Sequence, residues 1–140
     1  MFLLDTNVVS ELRKAARADR LVRDWAERIP ANHFWLSTIS LLELEIGVLR
    51  IERRDVAQGA LLRRWLDHVV LVAFEGRLLD VSAAVARTAA SLHVPDPRPE
   101  RDALIAATAL THGLTIVTRD TSDFEPMGVA LLNPWLGTPD

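Results

Sequence analysis

Two stretches of the chain place carboxylates directly after short apolar runs. Asp5 follows Phe2-Leu3-Leu4, and Asp120 and Asp123 come soon after the apolar run 114–117 near the other end. Because Asp is a poor strand residue, an acid after such a run marks the carboxyl end of a strand, where open α/β folds carry their sites. Carboxylates that meet at this edge repel one another unless a cation lies among them, and oxygen ligands favour Mg²⁺ or Mn²⁺. The pattern therefore predicts a metal-dependent site suited to phosphodiester hydrolysis.

Two further acids stand where helices are predicted to begin. Glu43 closes Ser40-Leu41-Leu42-Glu43, which has the form of a capping box and predicts the first turn of a helix running towards Leu49. Asp102 precedes the apolar, alanine-rich segment 103–110, which favours a helix. If these helices start at the same edge of the sheet, all the candidate acids share one site.

Each acid also has a structural alternative. Asp5 would cap the helix that follows it, unless Asn7 does so and leaves Asp5 for a metal. Glu43 would bond back to Ser40 inside the capping box. The other acids would stabilise a helix dipole or a turn: Asp102, Asp120 and Asp123. Taken singly, each acid is better explained by structure, whereas their recurrence at equivalent ends of strands and helices favours a shared site.

Strands and helices alternate along the chain. Apolar runs predict strands at 1–4, 34–37, 71–74 and 114–117, and an edge strand within 129–135. Helices are predicted from about residue 8, around 21–26, from 40 towards 49, and over 55–69, 80–92 and 103–110. Prolines at 95, 97 and 99 predict an exposed loop before Asp102. The alternation predicts one α/β domain over 1–140, with a parallel sheet of four to five strands sandwiched by helices.

The composition limits the class of protein. A chain of 140 residues with 49% hydrophobic content can bury one core, and the absence of cysteine excludes disulfides and thiolate chemistry. It also agrees with a reducing cytoplasm. The N-terminus has no signal-peptide pattern, and no apolar run approaches the roughly 20 residues of a membrane span. We therefore expect a cytoplasmic protein without a membrane partner.

The net charge of −3 conceals an excess of bases outside the candidate site. Setting aside the five candidate acids leaves 14 acids against 16 bases, and 15 of those bases are arginine. Arginine binds phosphate through two parallel hydrogen bonds. The arginines cluster at 13–23, 50–54 and 63–64, where they either contact nucleic acid or form solvated helix faces. The four tryptophans are expected in the core or at a dimer surface.

Four motifs follow one another over nearly the whole chain, at residues 4–11, 37–44, 102–109 and 118–124. In this order they resemble the PIN-domain ribonucleases, and within them the VapC-type toxins of bacterial toxin–antitoxin pairs, including the FitB-like branch. By this resemblance Asp5 and Asp102 hold the principal Mg²⁺, with Mn²⁺ as the alternative ion, and Glu43 and Asp120 ligate it directly or through water. Supporting or substrate-contacting roles fall to Thr6, Asn7, Thr118, Arg119 and Asp123.

The resemblance implies an endoribonuclease that hydrolyses RNA and is inhibited by a cognate antitoxin, whose C-terminal segment covers the active groove. It also implies a homodimer and a toxin–antitoxin hetero-oligomer. The alternative is a regulatory module that binds RNA or a protein partner through a degenerate site. Phosphatases of the haloacid-dehalogenase type and receiver domains also place Asp after a first strand. Both require a lysine late in the chain, and Lys14 is the only lysine.

Overall fold

A five-stranded parallel sheet forms the centre of the protein in a computed structural model that describes residues 1–137. The strands lie in the order β3-β2-β1-β4-β5, and Leu4 of β1 pairs with Val117 of β4. The strands are β1 (Phe2–Leu4), β2 (Phe34–Ser37), β3 (Leu78–Leu79), β4 (Thr115–Val117) and β5 (Leu131–Leu132). The central strand β1 and its neighbour β4 therefore come from opposite ends of the chain, and their carboxyl ends lie side by side.

Eight α-helices connect and flank these strands within residues 1–137. They are α1 (Thr6–Leu12), α2 (Arg20–Arg28), α3 (Thr38–Arg54), α4 (Val56–Trp65), α5 (Leu71–Ala73), α6 (Ala83–Leu92), α7 (Glu100–His112) and α8 (Thr121–Phe124). A π-helical turn, Leu66–Val70, continues α4 into α5. No helix in this part of the chain is long and apolar enough to cross a membrane.

Side chains that alternate along the strands fill two separate cores. Leu4 and Val117 belong to one apolar cluster, which contains Trp25, whereas Leu3 and Ile116 belong to another. Successive side chains of a strand point to opposite faces of its sheet, so both faces of the sheet are buried. The predicted fold class, a parallel sheet between helices, is confirmed, with five strands.

The predicted strand at 71–74 is wrong. These residues form α5 and the start of the turn after it, and the third strand lies further on, at Leu78–Leu79. Val70 and Phe74, four residues apart, are both buried against the same core. A short apolar run fits a helix and a strand equally well, and here the i, i+4 spacing decides for the helix.

Other boundaries follow the predicted signals more closely. Gly113 has a φ of 67° and ends α7, as the His112-Gly113 stop signal predicts. The proline-rich stretch before Glu100 has no regular structure, and β5 is the edge strand expected within 129–135. Helix α1 begins at Thr6, two residues earlier than predicted.

Candidate active site

Asp5 lies at the point where the central strand β1 becomes helix α1. Its backbone N–H donates to Val117 O at 2.9 Å and so extends the ladder between β1 and β4. Its Oδ1 accepts from Thr6 N at 2.8 Å, and its Oδ2 accepts from Thr118 Oγ1 at 2.8 Å. The residue is 8% exposed. Asp5 therefore caps α1 and also presents a buried carboxylate at the sheet edge, so the suggestion that Asn7 is the cap is wrong.

Asn7 instead ties α1 to the segment after β4. Its Nδ2 donates to Asp120 Oδ2 at 3.1 Å and to Thr118 Oγ1 at 3.3 Å, and its Oδ1 accepts from Arg119 N at 3.4 Å. The hydroxyl of Thr118, which is fully buried, also accepts from Asp120 N at 3.0 Å. One hydroxyl and one amide thus hold Asp120 beside Asp5, although more than a hundred residues separate them.

Glu43 reaches this cluster from α3. Thr6 Oγ1 donates to its Oε1 at 2.7 Å, and Arg101 Nη1 lies 3.7 Å from its Oε2. The predicted capping box is wrong, because α3 begins at Thr38 with Ser37 as its cap, and the Oγ of Ser40 is buried without a hydrogen-bond partner. Glu43 therefore stands in the second turn, free of the capping role that competed with a place in the site.

Asp102 is the acid on which the electrostatic repulsion concentrates. It lies in the first turn of α7, and Pro99, the residue before that helix, supplies no side-chain cap. Burial and, after it, the negative charges of Asp5, Asp123, Glu43 and Asp120 together raise the pKa of Asp102 to about 6. Burial also raises the pKa of Asp5, against the lowering effect of its hydrogen bonds to Thr118 and Thr6. Each acid therefore lies within the field of the others.

These acids line one open cleft of about 490 Å³ at the carboxyl ends of β1 and β4. All five predicted acids line it, and so do Thr6, Asn7 and Arg119. Thr118 does not line the cleft, but its hydroxyl is hydrogen-bonded to two residues that do, Asp5 and Asp120. The remaining lining residues were not among the predicted site residues, although Arg13 belongs to one of the predicted arginine clusters: Ser10, Glu11, Arg13, Lys14 and Phe124.

The donor set suits a hard divalent cation, because it consists of carboxylate oxygens with excess negative charge. Within residues 1–137, no three acidic or histidine side chains are already grouped as a metal ion requires. Mutual repulsion keeps unneutralised carboxylates apart, and the hydrogen bonds from Thr6, Thr118 and Asn7 fix several of them in their separate positions. A bound cation would have to draw these oxygens together.

Glu11 is a buried acid to which the sequence analysis assigned no role. Its Oε2 accepts from Asp19 N at 2.9 Å, its Oε1 accepts from Lys14 Nζ at 3.0 Å, and Arg119 Nη2 lies 3.8 Å away. These donors lower the pKa of Glu11, the backbone bond from Asp19 most of all. The sequence feature that could have identified Glu11 is its position three residues after Val8, which places an acid on the apolar face of α1.

Arg119 is held at the rim of the cleft by aromatic and polar contacts. Its guanidinium lies 4.2 Å from the centre of the Trp135 ring, and its backbone O accepts from Asn133 Nδ2 at 3.3 Å. Trp135 is partly buried against the core, as predicted for the tryptophans. The contact with Arg119 is an additional feature, and it positions a cation next to the acids.

Fold and cleft together define a small α/β domain with a carboxylate-rich site at the carboxyl edge of its sheet. The family model described as PIN domain matches residues 2–128, and the chain belongs to that family. The resemblance to VapC-type toxins, including the FitB-like branch, is also confirmed, because relatives with these names match the chain.

Similar proteins match almost the full length of the chain. A VapC ribonuclease of Sinorhizobium fredii is 37% identical and covers 96% of this chain and 98% of its own. The toxin FitB of Neisseria gonorrhoeae is 36% identical, with 96% and 99% covered. The crystal structure of FitAcB from Neisseria gonorrhoeae contains a chain with a TM-score of 0.88 and 34% identity, covering 96% of this chain and 99% of that one.

Replacing the buried hydroxyl that joins the two central strands should destabilise the protein. Thr118→Val leaves the Oδ2 of Asp5 and the backbone N–H of Asp120 without their partner. We expect a loss of about 1–3 kcal/mol in the free energy of unfolding, measured by urea denaturation. The matched control is Thr115→Val on the same strand, which keeps every hydrogen bond to the acids. An equal loss in both variants would contradict the role of the Thr118 hydroxyl.

The raised pKa of Asp102 predicts how stability depends on pH when chelator is present. The folded protein binds a proton at Asp102 with a pKa of about 6, whereas the unfolded chain does so near 3.8. Between these values the folded state holds more protons than the unfolded state, so the free energy of unfolding decreases as the pH rises from about 4 to 6. Asp102→Asn should remove this pH-dependent decrease in the free energy of unfolding, which is on the order of 1 kcal/mol after allowance for solvent screening. Parallel pH profiles of the wild type and the variant would contradict the prediction.

Proposed function

We propose that this protein is a divalent-cation-dependent endoribonuclease and the toxin of a toxin–antitoxin pair. The observation that carries the proposal is that Asp5, Glu43, Asp102, Asp120 and Asp123 line one cleft of a PIN domain. Two relatives that match nearly the whole chain support it, since one is named a VapC ribonuclease and the other a toxin.

Asp5 and Asp102 would hold the principal cation, as the resemblance implies. The repulsion from neighbouring acids that helps to raise the pKa of both is what a cation would relieve. Glu43 and Asp120 would ligate it directly or through water. Mg²⁺ fits this set of oxygen donors, and Mn²⁺ is the alternative. When bound, the ion supplies the positive charge that neutralises the carboxylates and polarises the phosphate under attack.

The chain's own side chains would prepare the cleft for this chemistry. Thr6 and Thr118 orient the carboxylates of Glu43 and Asp5 through hydrogen bonds of 2.7 and 2.8 Å. Such supporting groups fix the direction of the ligand oxygens. Asn7 does the same for Asp120, and Asp123 adds negative charge around Asp102. Arg119, 55% exposed at the rim, would contact a phosphate of the RNA.

The partners follow from the same proposal. A cognate antitoxin would cover the cleft and form a hetero-oligomer with the toxin, and chains at 31–34% identity were solved as FitAcB and FitAB. Formation of a homodimer and a cytoplasmic location remain predictions from the resemblance. A regulatory module with a degenerate site is the alternative function, and the full set of cleft acids argues against it.

Cleavage of total cellular RNA by the purified protein tests the proposed activity. We expect cuts with Mg²⁺ or Mn²⁺, none with chelator, and a loss of about 100-fold or more in Asp102→Asn, because the principal cation loses a ligand. Mapping of new 5′ ends would identify the substrate. Asp96→Asn, an exposed acid of the proline-rich loop, is the matched control and should retain activity. Equal activity of wild type and Asp102→Asn would overturn the proposal.

A further inference from the structure

A second groove, of about 510 Å³, continues from the acidic cleft along helix α3. The groove and the cleft share four lining residues: Thr6, Ser10, Arg13 and Glu43. From there the groove follows one face of α3 past Gly47 and Arg50 to Arg54. We call it the α3 groove. A ligand that enters the cleft at Glu43 can therefore continue along α3 without leaving the surface.

The charge of the α3 groove is opposite to that of the cleft. Arg50 and Arg54 are four residues apart, so they project from the same face of α3, about 6 Å apart along its axis. Arg13 lines the groove from the end of α1. All three side chains are exposed, and Glu43, at the cleft end, is the one acid among the described lining residues. Beyond its junction with the cleft, the charged side chains that line the groove are therefore all basic.

Within residues 1–137, no acid of the protein neutralises the charge of these three arginines. Across residues 1–137, no carboxylate lies within ion-pair distance of Arg13, Arg50 or Arg54. The acids near α3 are used elsewhere, since Arg63 of α4 pairs with Glu45 at 2.7 Å and with Glu52 at 3.2 Å. The positive charge of the groove is thus left for an external anion.

The floor and the junction of the groove also suit an extended strand. Gly47 has no atom within 4 Å of the place where a Cβ would lie, so the middle of the floor is open. Apolar side chains of α3 line the rest: Leu44, Val48 and Ile51. At the junction, the guanidinium of Arg13 lies 5.8 Å from the centre of the Trp65 ring, which holds this cation where groove and cleft meet.

We propose that the α3 groove binds the phosphodiester backbone of single-stranded RNA on one side of the bond that is cut. Arg13, Arg50 and Arg54 contact its phosphates, while the cleft holds the phosphate that reacts. This inference rests on the proposed ribonuclease function of the cleft. A basic groove that follows the backbone is the usual way in which proteins bind a single strand irrespective of sequence. A protein partner is less well matched, because it would need an acid opposite each of the three guanidinium groups.

Binding of a fluorescently labelled oligouridylate in the presence of chelator tests the groove separately from cleavage. In Arg50→Gln/Arg54→Gln we expect affinity to fall about tenfold at low salt. The slope of log affinity against log salt concentration should fall by about 1.4, because each phosphate contact with a single strand contributes about 0.7. The matched control is Arg53→Gln/Arg64→Gln, which removes the same charge from exposed positions of α3 and α4 outside the groove. The control should keep most of the affinity and most of the salt dependence.

The side of the substrate that occupies the groove is tested by extending the RNA at its 5′ or its 3′ end. Extension at one end alone should raise the affinity of the wild type and of the control, and should have no effect in Arg50→Gln/Arg54→Gln. Equal losses in the two double variants would overturn the inference, because they would show a general effect of charge. Unchanged RNA binding with weaker binding of the cognate antitoxin would overturn it too, and would assign the groove to that protein.

Failure of the inference and failure of the proposed function give different results. If the groove variant binds RNA like the control while the wild type still cuts RNA with Mg²⁺, the groove is not an RNA site and the ribonuclease proposal stands. If the wild type binds RNA through the groove but cuts nothing with Mg²⁺ or Mn²⁺, the ribonuclease proposal fails. The binding measurement contains no divalent cation and involves no reaction, so it assesses the groove in either case.

Discussion

The hydrogen bond of 2.8 Å from Thr118 to Asp5 joins the ends of the two central strands. It connects residues 113 positions apart, and both partners are buried. Burying a carboxylate without such donors is costly, so Asp5 is compatible with the fold only because Thr118 and the start of α1 satisfy its oxygens. The same hydroxyl accepts from Asp120 N. The parallel pairing of β1 with β4 therefore also assembles the acidic cleft.

The separation of charge over the surface explains how an acidic protein could bind RNA. The carboxylates converge on the cleft, where a cation would neutralise them, while arginines that have no ion pair within residues 1–137 line the groove beside it. Arg119 lines the cleft and not the groove; its guanidinium lies 4.2 Å from the centre of the Trp135 ring, and its Nη2 lies 3.8 Å from Glu11 Oε1. The net charge of −3 averages these opposing surfaces, and by itself it would argue against a nucleic-acid ligand.

Much of this site could be predicted from sequence, because strand ends and helix starts leave local signals. Asp5 and Asp120 follow apolar runs, and Asp102 precedes an apolar helix, so their meeting at one edge follows from parallel strand order. The surroundings of Glu43 could not be predicted in this way. Ser40 and Glu43 have the spacing of a capping box, but the helix begins earlier, with Ser37 as its N-cap, because β2 ends there.

Other parts of the structure depend on contacts that have no local signal. The strand Leu78–Leu79 is two residues long, and only its pairing with β2 defines it. The apolar run before it was assigned to a strand because a short run has no decisive period. Arg119 contacts Glu11, which is distant from it in the sequence, and Trp135, which follows it by 16 residues. Such tertiary contacts are invisible until the chain is folded.

An anomalous difference map from a crystal soaked in Mn²⁺ would show whether the acids of the cleft form one cation-binding site. We expect a peak in the cleft within ligand distance of the carboxylates of Asp5 and Asp102, and its disappearance in Asp5→Asn. A cleft without a peak, at a Mn²⁺ concentration that supports RNA cleavage, would contradict this expectation.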